Sequence, residues 1–255
     1  MIDIHCHILP GMDDGAKHME ESVEMAKAAL TQGIDTIIAT PHHNNNKYFN
    51  TKTTIIKAVE DLNERLVKEN LPITVLPGQE TRIYGDMVQG VKKGDLLTLN
   101  QTSPYIFVEL PTNHVPRYTE QLLFDLQMED LTPIIVHPER NTELLEHPSK
   151  LYELVRNGAL TQLTAASLVG KFGKKIKKFS HDLIEARLTH FIASDAHNTR
   201  SRGFVMAEAI EEIKNQYGQQ MLYTFMENPQ LLINGEALYI DEPHRIKTKK
   251  FLGLF

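Results

Sequence analysis

Apolar positions recur along this chain in two alternating periods. The stretch "ESVEMAKAALTQG" places Val23, Ala26, Ala29 and Leu30 on one helical face, and Gly33 provides a stop. An apolar run from Ile34 to Ala39 follows and reads as a strand. The scheme then returns, with "TTIIKAVEDLNERLVKEN" predicting a helix and Ile73 to Leu76 a strand. "YIFVEL", "TPIIVHPER", "LTQLTAAS" and "THFIASDAHN" supply further strands, most with a helical stretch before them. "PSKLYELVRNGAL" is the clearest of those helices and carries its own glycine stop. With the opening "MIDIHCH", about seven apolar strands alternate with helices, which predicts an α/β protein with a parallel sheet. A length of 255 residues fits a barrel; an open doubly wound sheet is the alternative. No Gly-x-Gly-x-x-Gly loop follows the first strand, so a dinucleotide fold gains no support.

Composition narrows the function classes. With 41% hydrophobic and 24% charged residues, the chain has ample material for a core. The expectation is a single domain over residues 1–255, with a short basic and apolar tail from about 243. A formal net charge of -6 argues against a general nucleic-acid binder. No apolar run reaches the roughly 18 residues of a membrane span. The start carries Asp3 and His5 instead of a basic segment and an apolar core, so no signal peptide is read. One cysteine allows no internal disulfide and suits a reducing compartment, so the expected location is cytoplasmic.

The candidate chemistry lies at the strand ends. His5 and His7 close the first strand, His42 and His43 the second, and Glu80 the third. Glu109 ends the fourth, His137 the fifth, and Asp195 and His197 the seventh. In parallel α/β barrels these C-terminal ends converge on one face, where active sites sit. In a strand, side chains two apart point the same way, so His5 and His7 share a face and Cys6 takes the other. A single histidine pair could be a hydrogen-bonded edge strand; ligand types on nearly every strand end point to bound metal. His42 precedes His43 after the apolar run and is the better candidate of the two. Asp13 and Asp14 sit in "PGMDDG", which is also an ordinary turn; Asp14 is taken as the ligand candidate. His18, His114, His147, His181, His190 and His244 lack matching partners and are expected at the surface, with His114 the exception to watch because it follows Glu109 closely.

Other reactive residues divide between packed and chemical roles. Cys6 lacks the arginine six residues on that cysteine phosphatases need, since Met12 stands there, and it reads as a packed apolar residue. Arg140 in "HPER" and Arg202 in "SDAHNTRSRGF" follow ligand motifs closely. A guanidinium fork binds phosphate through two hydrogen bonds, so both are candidate catalytic residues, with Arg200 as a substitute for Arg202. "KFGKKIKKF", Lys171 to Lys178, is either a solvated helix face or an attractor for an acidic substrate. Nitrogen and oxygen ligands without thiolates indicate Mn2+, Fe or Zn2+, and eight or nine of them imply two or three ions.

The HxH opening, "TPHH", "GQE", "VHPER" and "SDAHN" resemble the polymerase-and-histidinol-phosphatase (PHP) superfamily over nearly the entire chain. More narrowly, "MIDIHCHILPGMDDGA", "VHPERN" and "SDAHNTRSRGF" resemble the manganese-dependent tyrosine-protein phosphatases of Gram-positive bacteria, the CpsB/YwqE type. The resemblance implies a distorted seven-stranded (β/α) barrel of the PHP type with a trinuclear metal centre. It implies that His5, His7, Glu80 and Asp195 hold one ion, Glu80, Glu109 and His137 a second, and Asp14, His42 and His197 a third. Many superfamily members have histidine where Asp14 and Glu109 stand. The implied substrate is phosphotyrosine on a protein, notably the tyrosine-rich tail of a bacterial tyrosine kinase regulating capsular or exopolysaccharide synthesis, attacked by water activated between the ions. Rival readings are a histidinol-phosphate phosphatase and a metal-stabilised phosphotyrosine-binding module. An amidohydrolase commonly places a metal-bridging lysine at a strand end, and no strand end here supplies one.

Overall fold

A computed structural model describes residues 1–246; the tail expected from about 243 lies outside the described residues beyond Ile246. Nine strand segments alternate with helices: β1 (Ile2–Cys6), β2 (Thr36–Ala39), β3 (His42–His43), β4 (Thr74–Pro77), β5 (Glu80–Arg82), β6 (Tyr105–Glu109), β7 (Thr132–Val136), β8 (Leu160–Thr164) and β9 (Phe191–Ala193). The helices are α1 (Met19–Thr31), α2 (Lys52–Lys68), α3 (Met87–Lys93), α4 (Thr119–Gln127), α5 (Thr142–Glu146), α6 (Pro148–Arg156), α7 (Ala165–Leu168), α8 (Lys174–Glu185) and α9 (Met206–Asn234).

All strand pairs are parallel, in the orders β1-β2-β4 and β3-β5-β6-β7-β8-β9. The two sheets are one barrel interrupted twice. Pro41, which has no N–H to give a ladder, separates β2 from β3. Gly78 separates β4 from β5, where a Cβ would stand 2.6 Å from the Ile38 side chain. Glu80 N–H donates to the Pro41 carbonyl at 3.1 Å and carries the pairing past both breaks. The ring closes where Asp195 N–H donates to the His5 carbonyl and His7 N–H to the Ala196 carbonyl, each at 2.9 Å. Seven strands in nine segments therefore form the expected distorted barrel.

Two apolar layers hold it. Ile38, Phe107, Ile134, Val136, Phe191 and Ala193 fill the interior, and Leu232, Ile233 and Leu238 close its lower end. The alternate residues Ile37, Ala39, Ile106, Val108 and Ile135 pack outward against the helices. Helix α2 shows how the sequence places its core face: Ile55, Val59, Leu62 and Leu66 recur at intervals of three and four and are all buried. Phe107 is fully buried beneath His5, their rings 5.1 Å apart, and truncating such a side chain to alanine typically costs about 3–5 kcal/mol.

Strict alternation fails once. The register between β1 and β2 shifts between Asp3 and Cys6, and Ile4 joins the inner layer while Cys6 joins the outer. A bulge explains how two residues of the same parity take opposite faces. Cys6 is fully buried and its thiol faces the Ala196 carbonyl at 3.6 Å, as a packed residue.

Candidate metal centre

The upper rim of the barrel gathers every ligand candidate. His5 Nε2, His7 Nε2, Glu80 Oε2 and Asp195 Oδ1 form the tightest set. The two imidazole nitrogens are 3.2 Å apart, and each lies 3.3–3.5 Å from both carboxylate oxygens. An ion ~2.1 Å from each ligand spaces tetrahedral ligands ~3.4 Å apart and octahedral neighbours ~3.0 Å apart. The set has the dimensions of one cation. His42 Nδ1 lies 2.8 Å from Glu80 Oε2 and 3.7 Å from Glu109 Oε2, and His137 Nε2 lies 2.8 Å from Glu80 Oε1. Asp14 Oδ1 lies 3.4 Å from His42 Nε2 and 3.5 Å from His197 Nε2. His7, Asp14, His42 and His197 can offer ligand atoms to one ion, as can His5, His7 and Glu80, and His42, Glu80 and Glu109. His42 thus turns both ring nitrogens toward the centre, and His7 belongs to two of the groups.

Buried polar atoms without protein partners give an independent test of whether cations fit. His42 Nδ1, Glu80 Oε2, Glu109 Oε2 and His197 Nε2 are buried and make no well-aligned hydrogen bond, although His42 Nδ1 and Glu80 Oε2 approach to 2.8 Å: they face a common point more than each other. Leaving such groups unpaired costs about 1–3 kcal/mol each, and a cation at the centre removes that cost. The donors are imidazoles and carboxylates throughout, the set that suits Mn2+, Fe or Zn2+.

Contacts behind the ligands fix their orientation. His7 Nδ1 donates to Asp13 Oδ2 at 2.6 Å, His5 Nδ1 to Gln162 Oε1 at 2.8 Å, and His197 Nδ1 to the Asp195 carbonyl at 2.9 Å. With these tautomers each Nε2 lone pair faces inward, as second contacts around metal-binding histidines do. Arg82 donates to Glu109 Oε1 at 2.8 Å and to the Leu110 carbonyl at 3.2 Å. Asp13, Arg82 and Gln162 escape sequence reasoning as site residues. Asp13 had its signal, being half of an aspartate pair, and Gln162 stands alone as an amide inside an apolar strand.

Electrostatics follow from packing these charges together. Burial pushes Asp195 up, but the Arg140 guanidinium, with His7 and His5, holds it well below the usual carboxylate range. Glu80, fully buried, is likewise held well below that range, mainly by His42 and His5. Glu109 is pushed up to about 7 by burial and by the Glu80 charge. Burial lowers His137 and His197 to about 4, so both are neutral and can offer a lone pair. His137 and Asp195 also hold left-handed backbone, φ +36 and +51, a strain common where side chains are aimed at a site.

Arg140 Nη1 lies 2.8 Å from Asp195 Oδ2. Arg202 lies 3.4 Å from Asp14 Oδ2 and 3.5 Å from Asp195 Oδ2. Both line a cleft of about 270 Å³ with His42, Glu109 and His137, walled by Leu110, Pro111, Val136 and Pro138. Arg200 does not line this cleft. His43 faces away, its Nδ1 donating to the Asn50 carbonyl at 2.7 Å. Two histidines expected at the surface are not there. His190 is buried and its Nδ1 accepts from Thr161 N–H at 3.1 Å. His181 is held between Tyr217 and Glu212 across α8 and α9.

Barrel and cluster together define a metal-dependent enzyme built on a parallel α/β barrel. The family of capsular polysaccharide synthesis proteins, CpsB/CapC, matches residues 1–234. The chain belongs to that family. It is 51% identical to the tyrosine-protein phosphatase YwqE of Bacillus subtilis, over 100% of both chains. It is 30% identical to the tyrosine-protein phosphatase CpsB of Streptococcus pneumoniae, over 93% of this chain and 100% of that one. A crystal structure of YwqE, described as a metal-dependent tyrosine phosphatase, superposes with a TM-score of 0.95 over 97% of this chain and 100% of that chain. A variant of an organophosphorus hydrolase from Deinococcus radiodurans, at 13% identity and a TM-score of 0.52, shares the fold over 91% and 92% of the two chains.

Proposed function

We propose that this chain, a metal-dependent tyrosine-protein phosphatase, removes phosphate from a bacterial tyrosine kinase through Mn2+ held at the rim of the barrel. The observation that carries the reading is the cation-sized set of His5, His7, Glu80 and Asp195, with two guanidinium groups at its edge. Those four residues would hold the first ion; Glu80, Glu109 and His137 would hold a second; Asp14, His42 and His197 would hold a third. When bound, such ions polarise phosphoryl oxygens and lower the pKa of water, which makes a nucleophile available at neutral pH.

The chain's own residues do the rest. Arg140 and Arg202 stand where non-bridging phosphate oxygens would be neutralised, and their planar forks fix the phosphate's orientation. The apolar walls at Leu110, Pro111, Val136 and Pro138 suit an aryl group. Tyrosine leaves as a phenolate with a reference pKa of about 10, and needs less protonation than the alkoxide of serine. Among the described residues no helix is long and apolar enough to cross a membrane.

The test is phosphate release by chelated protein with Mn2+, Fe2+ or Zn2+ restored in turn. Substrates are matched phosphotyrosine and phosphoserine peptides, and histidinol phosphate. Turnover restored best by Mn2+ and on phosphotyrosine is expected. Equal rates on phosphoserine, a preference for histidinol phosphate, or phosphopeptide binding without release would each refute the proposal.

A further inference from the structure

Beside the catalytic cleft runs a second groove of about 360 Å³, lined by Gln32, Thr164, Lys171, Phe172, Arg200 and Arg202 among others. The two cavities share Asp195 and Arg202, so one continuous surface leads from the metal centre into the groove. Its charge is unlike that of the molecule. The chain carries a formal net charge of -6, yet the groove gathers three cations. Its one carboxylate, Asp195, is already engaged by Arg140 at 2.8 Å.

The lysine-rich segment is neutralised only in part: among the described residues Lys174 and Lys175 lie exposed on α8 with no ion pair. Lys177 and Lys178 are tied to Glu212 and Asp182 in helix-surface pairs. Among the described residues Lys171 and Arg200 form no ion pair, and both line the groove. The segment is anchored to the catalytic apparatus, because the Phe172 ring sits 5.6 Å beneath the Arg140 guanidinium. Unpaired cations facing a cavity cost nothing in water, but they gain from an anion brought to them on the same molecule as the phosphotyrosine.

We propose that this groove is a subsite for a second anionic side chain of the substrate, close in sequence to the phosphotyrosine. Resting on the proposed function, the inference deepens it: the substrate is a phosphotyrosine flanked by negative charge, and Lys171 and Arg200 read the flank. The shared chemistry is an anion, carried by either a carboxylate or a second phosphate. A flexible peptide advances at most ~3.3–3.6 Å per residue, so neighbouring positions on either side reach different depths of the groove.

The experiment uses metal-loaded full-length protein and peptides with one phosphotyrosine. Glutamate, phosphoserine, glutamine or lysine is placed at each of the three positions on either side, and loss of the tyrosine phosphate is followed by mass. At one position or more, the anionic peptides should show about a two- to fivefold lower KM than glutamine, as expected for partly exposed ion pairs. Comparing glutamate with phosphoserine separates the two sources. The preference should shrink in Lys171→Ala/Arg200→Ala, weaken with salt, and invert toward lysine-flanked peptides in Lys171→Glu/Arg200→Glu. No flank preference in the unmodified protein, or one that survives both double variants, overturns the proposal. Fluorescence anisotropy with non-hydrolysable difluoromethylene-phosphonate versions of the same peptides reads the groove without turnover. Absent phosphate release therefore refutes the phosphatase reading alone, while absent flank preference in binding refutes the subsite.

Discussion

Arg82 offers the sharpest test of how the rim of the barrel is built. It faces Glu109 across the β5–β6 pairing and donates to Glu109 Oε1 at 2.8 Å, leaving Oε2 unpartnered and turned toward His42. Glu109 is 6% exposed and lies beside the Glu80 carboxylate, which raises its pKa. With His42, Arg82 therefore offsets the burial and the Glu80 charge that push Glu109 up, before metal arrives. Removing one partner of a fully buried pair costs about 3–5 kcal/mol; with the guanidinium a quarter exposed, the cost to the fold is smaller than that. The effect on metal is direct, since losing an outer contact of a ligand typically costs 10–100-fold in affinity, or ~1.4–2.7 kcal/mol. Arg82→Gln should thus lose about that much affinity for the most weakly held ion, with kcat/KM falling in step at limiting metal and recovering at excess. Arg82→Lys should recover only part, because an ammonium keeps the charge but loses the simultaneous contact to the Leu110 carbonyl. The assays are competition with a fluorescent chelator, metal counting and steady-state kinetics, with circular dichroism as the folding control. Unchanged metal affinity and unchanged kcat/KM in Arg82→Gln would refute the reasoning.

Other consequences can be measured separately. Metal at a hundred times its Kd adds about 2.7 kcal/mol of stability; at about 2–4 °C per kcal/mol for a chain this size, chelation should lower Tm by roughly 5–11 °C, and no shift would deny a metal centre coupled to the fold. Arg140→Ala should cut kcat/KM on a phosphotyrosine peptide by about a hundredfold or more; because Arg140 also holds Asp195, metal affinity should fall in Arg140→Ala and hold in Arg202→Ala, whose contacts are longer. His190, lowered by burial to about 4, takes up its proton in the unfolded chain near pH 6.5 but in the fold only near 4. Stability should therefore decline by about 3 kcal/mol as pH falls through that window, and urea midpoints of His190→Gln should decline less; identical pH profiles would exclude His190 as the cause.

What the sequence makes legible is what lies on single strands. Seven apolar runs, six of them with ligand-type residues at their ends, are local patterns, and the periodicity that predicts them is the periodicity that buries them. The two interruptions are not legible in the apolar runs, although Pro41 and Gly78 are the residues that account for them. The misses share a physical cause, which is that they depend on how distant segments register. Arg82 becomes a site residue only because β5 sets it opposite Glu109. His190 becomes a core residue because Thr161 gives its ring an N–H and Asn228 of α9 binds its carbonyl at 3.2 Å. The bulge in β1 has no turn residue to announce it, yet it lets Ile4 enter the barrel while His5 still faces the centre. Charge patterning gave the same lesson in the lysine segment. Within one run of like residues Lys177 and Lys178 are paired on the helix surface while Lys171 lines a groove with two arginines, and only the fold says which does which. A ligand set can therefore be read from strand ends, whereas the charges that tune it and select its substrate are properties of the assembled rim.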